Sequence, residues 1–150
     1  MWTKGNKTKV DGITFDSQKE ANFYTRFVKD SGYKYEVHKP YILLNKFVVK
    51  DNINIRGLKY TPDFIIYDKQ GKILHVYDIK NSFTVYGIDQ AAQLRFKLFM
   101  YTYHLPLECV VVRTHDFKTT ILGTTKKRKV TIHKSFDYNW QDNLVLPVDK

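Results

Sequence analysis

Cysteine, glycine and proline are scarce in this sequence of 150 residues, which has one cysteine, seven glycines and four prolines. The single cysteine, Cys109, excludes an internal disulfide, and no four-ligand zinc pattern surrounds it. Because it lies in an apolar run, we predict a buried strand residue. No stretch approaches the ~18 apolar residues of a membrane span, and residues 1–5 do not resemble a signal peptide. These absences predict a protein of the reducing cytoplasm.

Acidic residues are also few, with 15 Asp and Glu against 25 Lys and Arg, which gives a formal net charge of +10. A small protein this basic usually meets a polyanion, and nucleic acid fits best. An anionic membrane is a poorer fit, because no basic helix has a clean apolar face. Solubility alone is the alternative explanation of the charge.

The length suits a single domain over 1–150 that buries roughly 68–70% of its unfolded surface. We predict an α/β (α+β) fold with a core over about 12–113 and a basic C-terminal β extension over about 114–150. The order is helix, three strands, helix, strand and extension. In the first half we predict a turn at Asp11-Gly12, then a helix that Asp16 or Ser17 caps and Ser31-Gly32 ends. A hairpin of strands Leu58–Tyr67 and Lys72–Lys80 follows, with Pro62 as an irregular point in the first strand. The later predicted elements are a helix over Asp89–Tyr103, a strand over Leu107–Arg113, and a final hairpin of Phe117–Leu122 with Lys129–His133.

The residues that carry chemistry are Pro62-Asp63 and, further along, Asp78-Ile79-Lys80. Residues two apart on a strand share a face, so Asp78 and Lys80 project together. A hairpin brings Asp63 on the neighbouring strand within reach of Asp78. Two carboxylates, joined by the Ile79 carbonyl, form a hard oxygen site suited to Mg²⁺ or Mn²⁺. With Lys80 to orient or help deprotonate a water, such a site can hydrolyse a phosphodiester.

Asp63 could instead be a turn acid, with Asp78 and Lys80 as an exposed cross-strand pair. Their apolar flanks favour the site, because an acid at a buried face is costly unless it binds something.

This arrangement resembles the PD-(D/E)xK nuclease superfamily, whose core is a restriction-endonuclease-like αβββαβ fold with a mixed central sheet flanked by helices. From Gly12 to about Arg113 the chain also resembles a phage-encoded family of unknown function, DUF1064. Three blocks carry that resemblance: Asp11-Gly12-Ile13-Thr14-Phe15-Asp16-Ser17-x-x-Glu20-Ala21, Tyr60-x-x-Asp63-Phe64 and Asp78-Ile79-Lys80.

The resemblance implies a phage endonuclease that acts on DNA in the host cytoplasm. It also implies branched or recombination intermediates as substrates, in the manner of a Holliday-junction resolvase, and a homodimeric state. It also implies that Glu20, on the first helix, supports a metal beside Asp63 and Asp78. The residues themselves leave Glu20 open, because it stands three positions after Ser17 in a capping-box pattern.

Two further groups are candidate DNA contacts. Gln93 and Lys97 are one turn apart on the second helix, and the resemblance implies a phosphate-facing role for such residues; a solvated helix face is the alternative. Lys126, Lys127 and Arg128 form a basic cluster at a predicted hairpin tip.

The five histidines show no paired ligand spacing and are predicted to be structural or surface residues. His75 is predicted to face away from Asp78, because it lies three residues earlier on the strand.

We therefore predict a Mg²⁺- or Mn²⁺-dependent endodeoxyribonuclease with Asp63, Asp78 and Lys80 at its centre and Glu20 beside them. The alternative is a non-enzymatic, basic nucleic-acid-binding module of a phage replication or packaging complex, whose tyrosines stack on unpaired bases.

Overall fold

The computed structural model describes residues 7–84, 87–126 and 129–140. Its centre is a six-stranded mixed sheet in the order β12-β11-β10-β9-β8-β3, in which β9 and β10 run parallel and the other neighbours antiparallel. These strands are β3 (Lys34–Val37), β8 (Phe64–Tyr67), β9 (Ile73–Ile79), β10 (Glu108–Val112), β11 (Phe117–Thr120) and β12 (Thr131–His133). The predicted mixed sheet is therefore confirmed.

Three short two-stranded sheets accompany the central one. They pair β1 (Thr8–Val10) with β2 (Ile13–Phe15), β4 (Tyr41–Leu44) with β7 (Leu58–Tyr60), and β5 (Phe47–Val49) with β6 (Ile53–Ile55). The β1–β2 turn lies at the predicted Asp11-Gly12, where both residues have positive φ, as a tight hairpin turn requires.

Helices cover the two faces of the central sheet. On one face lie α1 (Gln18–Phe23) and the π-helical segment Tyr24–Val28 that continues it; on the other lies α2 (Gln90–Tyr103). Strand β8 shows the alternation that separates the faces, because Phe64 and Ile66 pack with α1 while Ile65 and Tyr67 pack with α2. The predicted helix–three strands–helix–strand order is present in the core.

Both helices begin where the sequence predicts. The Ser17 Oγ accepts a hydrogen bond from the Glu20 N–H at 3.2 Å, and the Asp89 carboxylate accepts one from the Ala92 N–H at 2.7 Å. Each cap satisfies a donor that the first turn leaves without a partner. The second helix ends at His104, which is left-handed.

The predicted strand over Leu58–Tyr67 was expected to be irregular at Pro62, and the structure divides it there into two strands. The chain forms β7, breaks at Thr61-Pro62-Asp63, and then enters the central sheet as β8. Proline has no N–H to donate to a strand ladder, so pairing stops there. The break separates the β4–β7 sheet from the central sheet and leaves Asp63 directly before β8.

The described part of the C-terminal extension, residues 114–126 and 129–140, belongs to the central sheet and core. Strand β11 pairs with β10, and β12 pairs with β11, as the predicted final hairpin requires. Beyond β12, Phe136 is buried in the core on the α1 face. Cys109 is buried on β10, as predicted. No helix in the described ranges is long and apolar enough to cross a membrane.

Candidate active site

Strands β8 and β9 bring the two predicted aspartates together. Phe64 pairs with Tyr77, and the Asp63 N–H donates to the Tyr77 carbonyl at 3.0 Å. In an antiparallel pair this register sets Asp63 opposite Asp78. The Ile79 N–H then donates to Asp63 Oδ2 at 2.7 Å. The predicted contribution of Ile79 was its carbonyl, whereas the contact in the structure uses its N–H.

Asp78 is buried, and both of its carboxylate oxygens have partners. The Tyr60 hydroxyl donates to Oδ2 at 2.5 Å, and Lys80 Nζ lies 3.0 Å from Oδ1. The Lys80 ammonium lies 5.5 Å from the centre of the Phe96 ring on α2. The predicted sharing of a face by Asp78 and Lys80 is therefore present as a direct ion pair.

The pKa of Asp63 is shifted by its burial and by the two neighbouring acids. Asp63 is half-buried, but its carboxyl group is enclosed, and burial raises its pKa well above the usual range. The negative charges of Asp78 and Glu20 raise that pKa further, while the hydrogen bond from Ile79 opposes the rise. Crowded carboxylates hold protons more tightly because like charges disfavour ionisation.

Lys80 responds to the same acids in the opposite sense. Burial lowers the pKa of its amine, but the charge and hydrogen bond of Asp78, with the charge of Asp63, outweigh burial and raise it. Lys80 therefore stays an ammonium ion beside the carboxylates. Burial and the Asp78 charge also raise the pKa of Tyr60 well above its ordinary value, so that its hydroxyl remains a donor.

Glu20 reaches this cluster from α1. It is buried, its Oε1 lies 3.0 Å from His38 Nε2, and its Oε2 accepts a bond of 3.4 Å from the Ser17 hydroxyl. The backbone N–H of His38 in turn donates to the Asp63 backbone carbonyl at 3.2 Å. The Glu20 carboxylate therefore contacts His38 and the Ser17 hydroxyl, while the Glu20 backbone N–H donates to the Ser17 cap.

A second group of atoms that could hold a metal includes Glu20. Among the described residues, Asp16, Glu20 and His38 each place one carboxylate or imidazole atom within 4.8 Å of the others. Glu20 is common to this group and to the aspartate pair, because its charge also acts on Asp63. Oxygen donors suit Mg²⁺, and an imidazole nitrogen is also accepted by Mn²⁺ and other transition metals.

The sequence profile of one protein family, described as protein of unknown function (DUF1064), matches residues 3–119. The chain belongs to the DUF1064 family. No curated protein matches the chain, and no solved structure matches it.

The DUF1064 match spans the whole cluster, from Asp16 to Lys80, together with α2 and β10. It ends within β11, so β12 and the chain beyond it lie outside. The residues brought together by the fold are therefore all within the part of the chain that defines the family.

Two residues that contact the candidate site had no predicted role in it. Tyr60 belongs to one of the sequence blocks shared with DUF1064, and only the fold shows its bond to Asp78. His38 was predicted to be a structural or surface residue; it contacts Glu20 and has a left-handed φ of 56°. A non-glycine residue in that region is uncommon and often marks a functional site.

Three of the five predicted DNA contacts lie within the described residues. Gln93 and Lys97 are exposed on one face of α2 and line a surface cavity of about 240 Å³ with Leu122 and Gly123. Lys126, three residues after Gly123, is exposed, and Lys127 and Arg128 lie outside the described residues.

His75 faces away from the cluster, as predicted. Its Nδ1 lies 2.7 Å from Glu108 Oε2 and its Nε2 lies 2.8 Å from the Phe136 carbonyl, all buried beneath the C-terminal segment. The Tyr138 hydroxyl donates to the other Glu108 oxygen at 2.7 Å. This group ties the extension to the sheet and has a structural role.

Proposed function

We propose that the chain is a divalent-metal-dependent endonuclease that hydrolyses DNA phosphodiester bonds. The observation that supports the proposal is the convergence of Asp78 and Glu20 on Asp63, with the Lys80 ammonium paired to Asp78. It is the grouping of acids and one amine that the PD-(D/E)xK resemblance implies. Membership of that nuclease superfamily is part of the proposal.

The chemistry of the donor set fits a divalent cation. Three carboxylates outnumber the single ammonium beside them, and burial, followed by the charges of Asp78 and Glu20, raises the pKa of Asp63. A cation of charge two relieves the repulsion among the acids. Asp63, Asp78 and Glu20 would hold it, with Asp16 and His38 close to Glu20. When bound, Mg²⁺ or Mn²⁺ supplies charge neutralisation at a phosphate and a water of lowered pKa.

The protein's own groups have distinct tasks in this proposal. Lys80 offers ammonium hydrogens to a phosphate oxygen or to the water, and its charge balances the negative charge that develops during hydrolysis. Tyr60 and the Ile79 N–H fix the two aspartates through their hydrogen bonds. Groups that orient ligands in this way typically change metal affinity or activity 10- to 100-fold.

The charge of the chain supports a nucleic-acid substrate. A net charge of +10 attracts a polyanion, and Gln93 and Lys97 offer an amide and an ammonium on the helix that also carries Phe96 against Lys80. DNA, branched intermediates as preferred substrate, action in a host cytoplasm and a homodimeric state are the remaining parts of the proposal.

The experiment is a cleavage panel of linear, single-stranded, flapped and four-way DNA, each incubated with Mg²⁺, Mn²⁺ or EDTA. We expect cutting that requires the metal and that Asp63→Asn abolishes, while DNA binding is retained. Parallel RNA substrates test the choice of DNA. Binding without cleavage of any substrate would instead favour the non-enzymatic binding module.

A further inference from the structure

A β-hairpin arm projects between β4 and β7, in the segment 44–59 that we call the arm. Its strands β5 and β6 pair with each other, and within the described part of the chain neither pairs with another strand. Every residue of the arm is exposed except Gly57. A lone two-stranded hairpin is at best marginally stable in water. A partner that covers the arm would therefore increase its stability.

One face of the arm is entirely apolar. Phe47 pairs with Ile55 and Val49 pairs with Ile53, and directly opposed residues project on the same side of a hairpin. Val48, opposite Asn54, lies on the other side. Phe47 is 44% exposed and Ile53 54% exposed. These side chains lack the burial that normally stabilises residues of their kind.

The arm has a defined shape. At its base, a Cβ on Gly57 would lie 2.5 Å from the Leu44 carbonyl oxygen, so the two chains pass too closely for any other residue. At its tip, Lys50 and Asn52 have positive φ, and the Asn52 N–H donates to the Lys50 carbonyl at 3.0 Å. A preorganised element of this kind pays little entropy when a partner binds.

We propose that the arm is the surface on which a second copy of this chain docks. Five of the six residues in β5 and β6 are apolar. With the exposed apolar residues at the base, Ile42, Leu44 and Leu58, the four residues of the apolar face (Phe47, Val49, Ile53 and Ile55) offer an apolar surface on the order of 600 Å². That is the upper limit for a typical monomer and close to the ~800 Å² that each partner contributes to a standard interface.

The pattern fits a two-fold symmetric partner. A two-fold interface uses the same patch on both subunits, so the patch must be complementary to itself. A uniformly apolar face, with the same chemistry at each of its four paired positions, meets that condition. The free edges of β5 and β6 can also accept a further strand.

DNA is the competing occupant, because Lys46, Lys50 and Arg56 flank the strands. Contacts with the DNA backbone come mainly from charged and polar groups, however, and β5 and β6 contain a single polar residue, Asn54. The cations therefore form the rim of an apolar surface, which is the usual arrangement at a protein–protein interface.

The test is the mass of the full chain in solution, by light scattering and sedimentation, over a range of concentrations. We expect a dimer that Ile53→Glu weakens roughly 30-fold or more, as loss of an interface hot spot does. Val48→Glu is the matched control, because Val48 is equally exposed at 56% but lies on the other face. It should leave the dimer intact.

Hydrogen exchange on the unaltered chain supplies a second readout if Ile53→Glu fails to fold. The amides of β5 and β6 should gain protection as the concentration rises. A monomer at every concentration, or equal weakening by both variants, overturns the proposal. A monomer whose DNA affinity falls with Ile53→Glu also overturns it and assigns the arm to DNA. The inference rests on the homodimeric part of the proposed function, but none of these readouts requires cleavage, so it can fail while the proposed metal-dependent cleavage holds.

Discussion

Replacing Tyr60 with phenylalanine removes one atom from the centre of the site. The Tyr60 hydroxyl donates to Asp78 Oδ2 at 2.5 Å. Its ring packs on Phe96 and Phe99, with centroids 5.7 and 5.6 Å away, and phenylalanine keeps those contacts. The change therefore isolates the hydrogen bond from the packing.

The expected loss follows from the charge of the acceptor. A hydrogen bond to an ionised group contributes about 1.5–3 kcal/mol, and each 1.4 kcal/mol is tenfold in an equilibrium or rate constant. Tyr60→Phe should therefore weaken Mn²⁺ affinity, the cleavage rate or both by roughly 10- to 100-fold. The assays are calorimetric titration with Mn²⁺ and single-turnover cleavage.

Tyr41→Phe is the matched control. Tyr41 also packs on Phe99, with a centroid distance of 5.3 Å. Its hydroxyl is buried without a hydrogen-bond partner in the described part of the chain. We expect Tyr41→Phe to leave metal affinity and cleavage unchanged. If Tyr60→Phe also behaves as the unaltered protein does, Tyr60 does not hold Asp78 in position and our reasoning is refuted.

Two further changes separate stability from DNA binding. His75→Ala removes one of the two side chains that bond the buried Glu108 carboxylate at 2.7 Å, which should cost about 3–5 kcal/mol of unfolding free energy in a denaturant titration. The exposed control His115→Ala should cost less than about 0.5 kcal/mol. An equal effect of the two would remove the structural role given to His75. Lys97→Ala should weaken DNA binding and reduce the salt dependence by about one counterion, without changing Mn²⁺ affinity. An unchanged salt slope would mean that Lys97 does not contact phosphate.

Caps, apolar spacing and short turns in the sequence predict most of the fold. Helix α2 begins at Asp89 and ends after Tyr103, because the cap and the apolar spacing are both readable in the sequence. The strand pair that brings Asp63 opposite Asp78 was predictable for the same reason, since it needs only a short turn. Strand β10 is buried on both faces, as its continuous apolar run indicates.

Contacts between distant segments were not readable. The pairing of His38 with Glu20 joins residues 18 positions apart on different elements, and no spacing rule connects them. The bond from Tyr60 to Asp78 depends on the break at Pro62, which turns one apparent strand into two. The C-terminal extension likewise joins the core through Phe136 and the Tyr138 hydroxyl, contacts that depend on tertiary packing.

Titration of the DNA-free protein with Mn²⁺, followed by the loss of the free-ion electron paramagnetic resonance signal, tests the central claim most directly. We predict a site that Asp63→Asn and Asp78→Asn each remove and that the exposed control Asp30→Asn leaves intact. Absence of Mn²⁺ binding, or binding that all three variants retain equally, would contradict a metal centre built on Asp63 and Asp78.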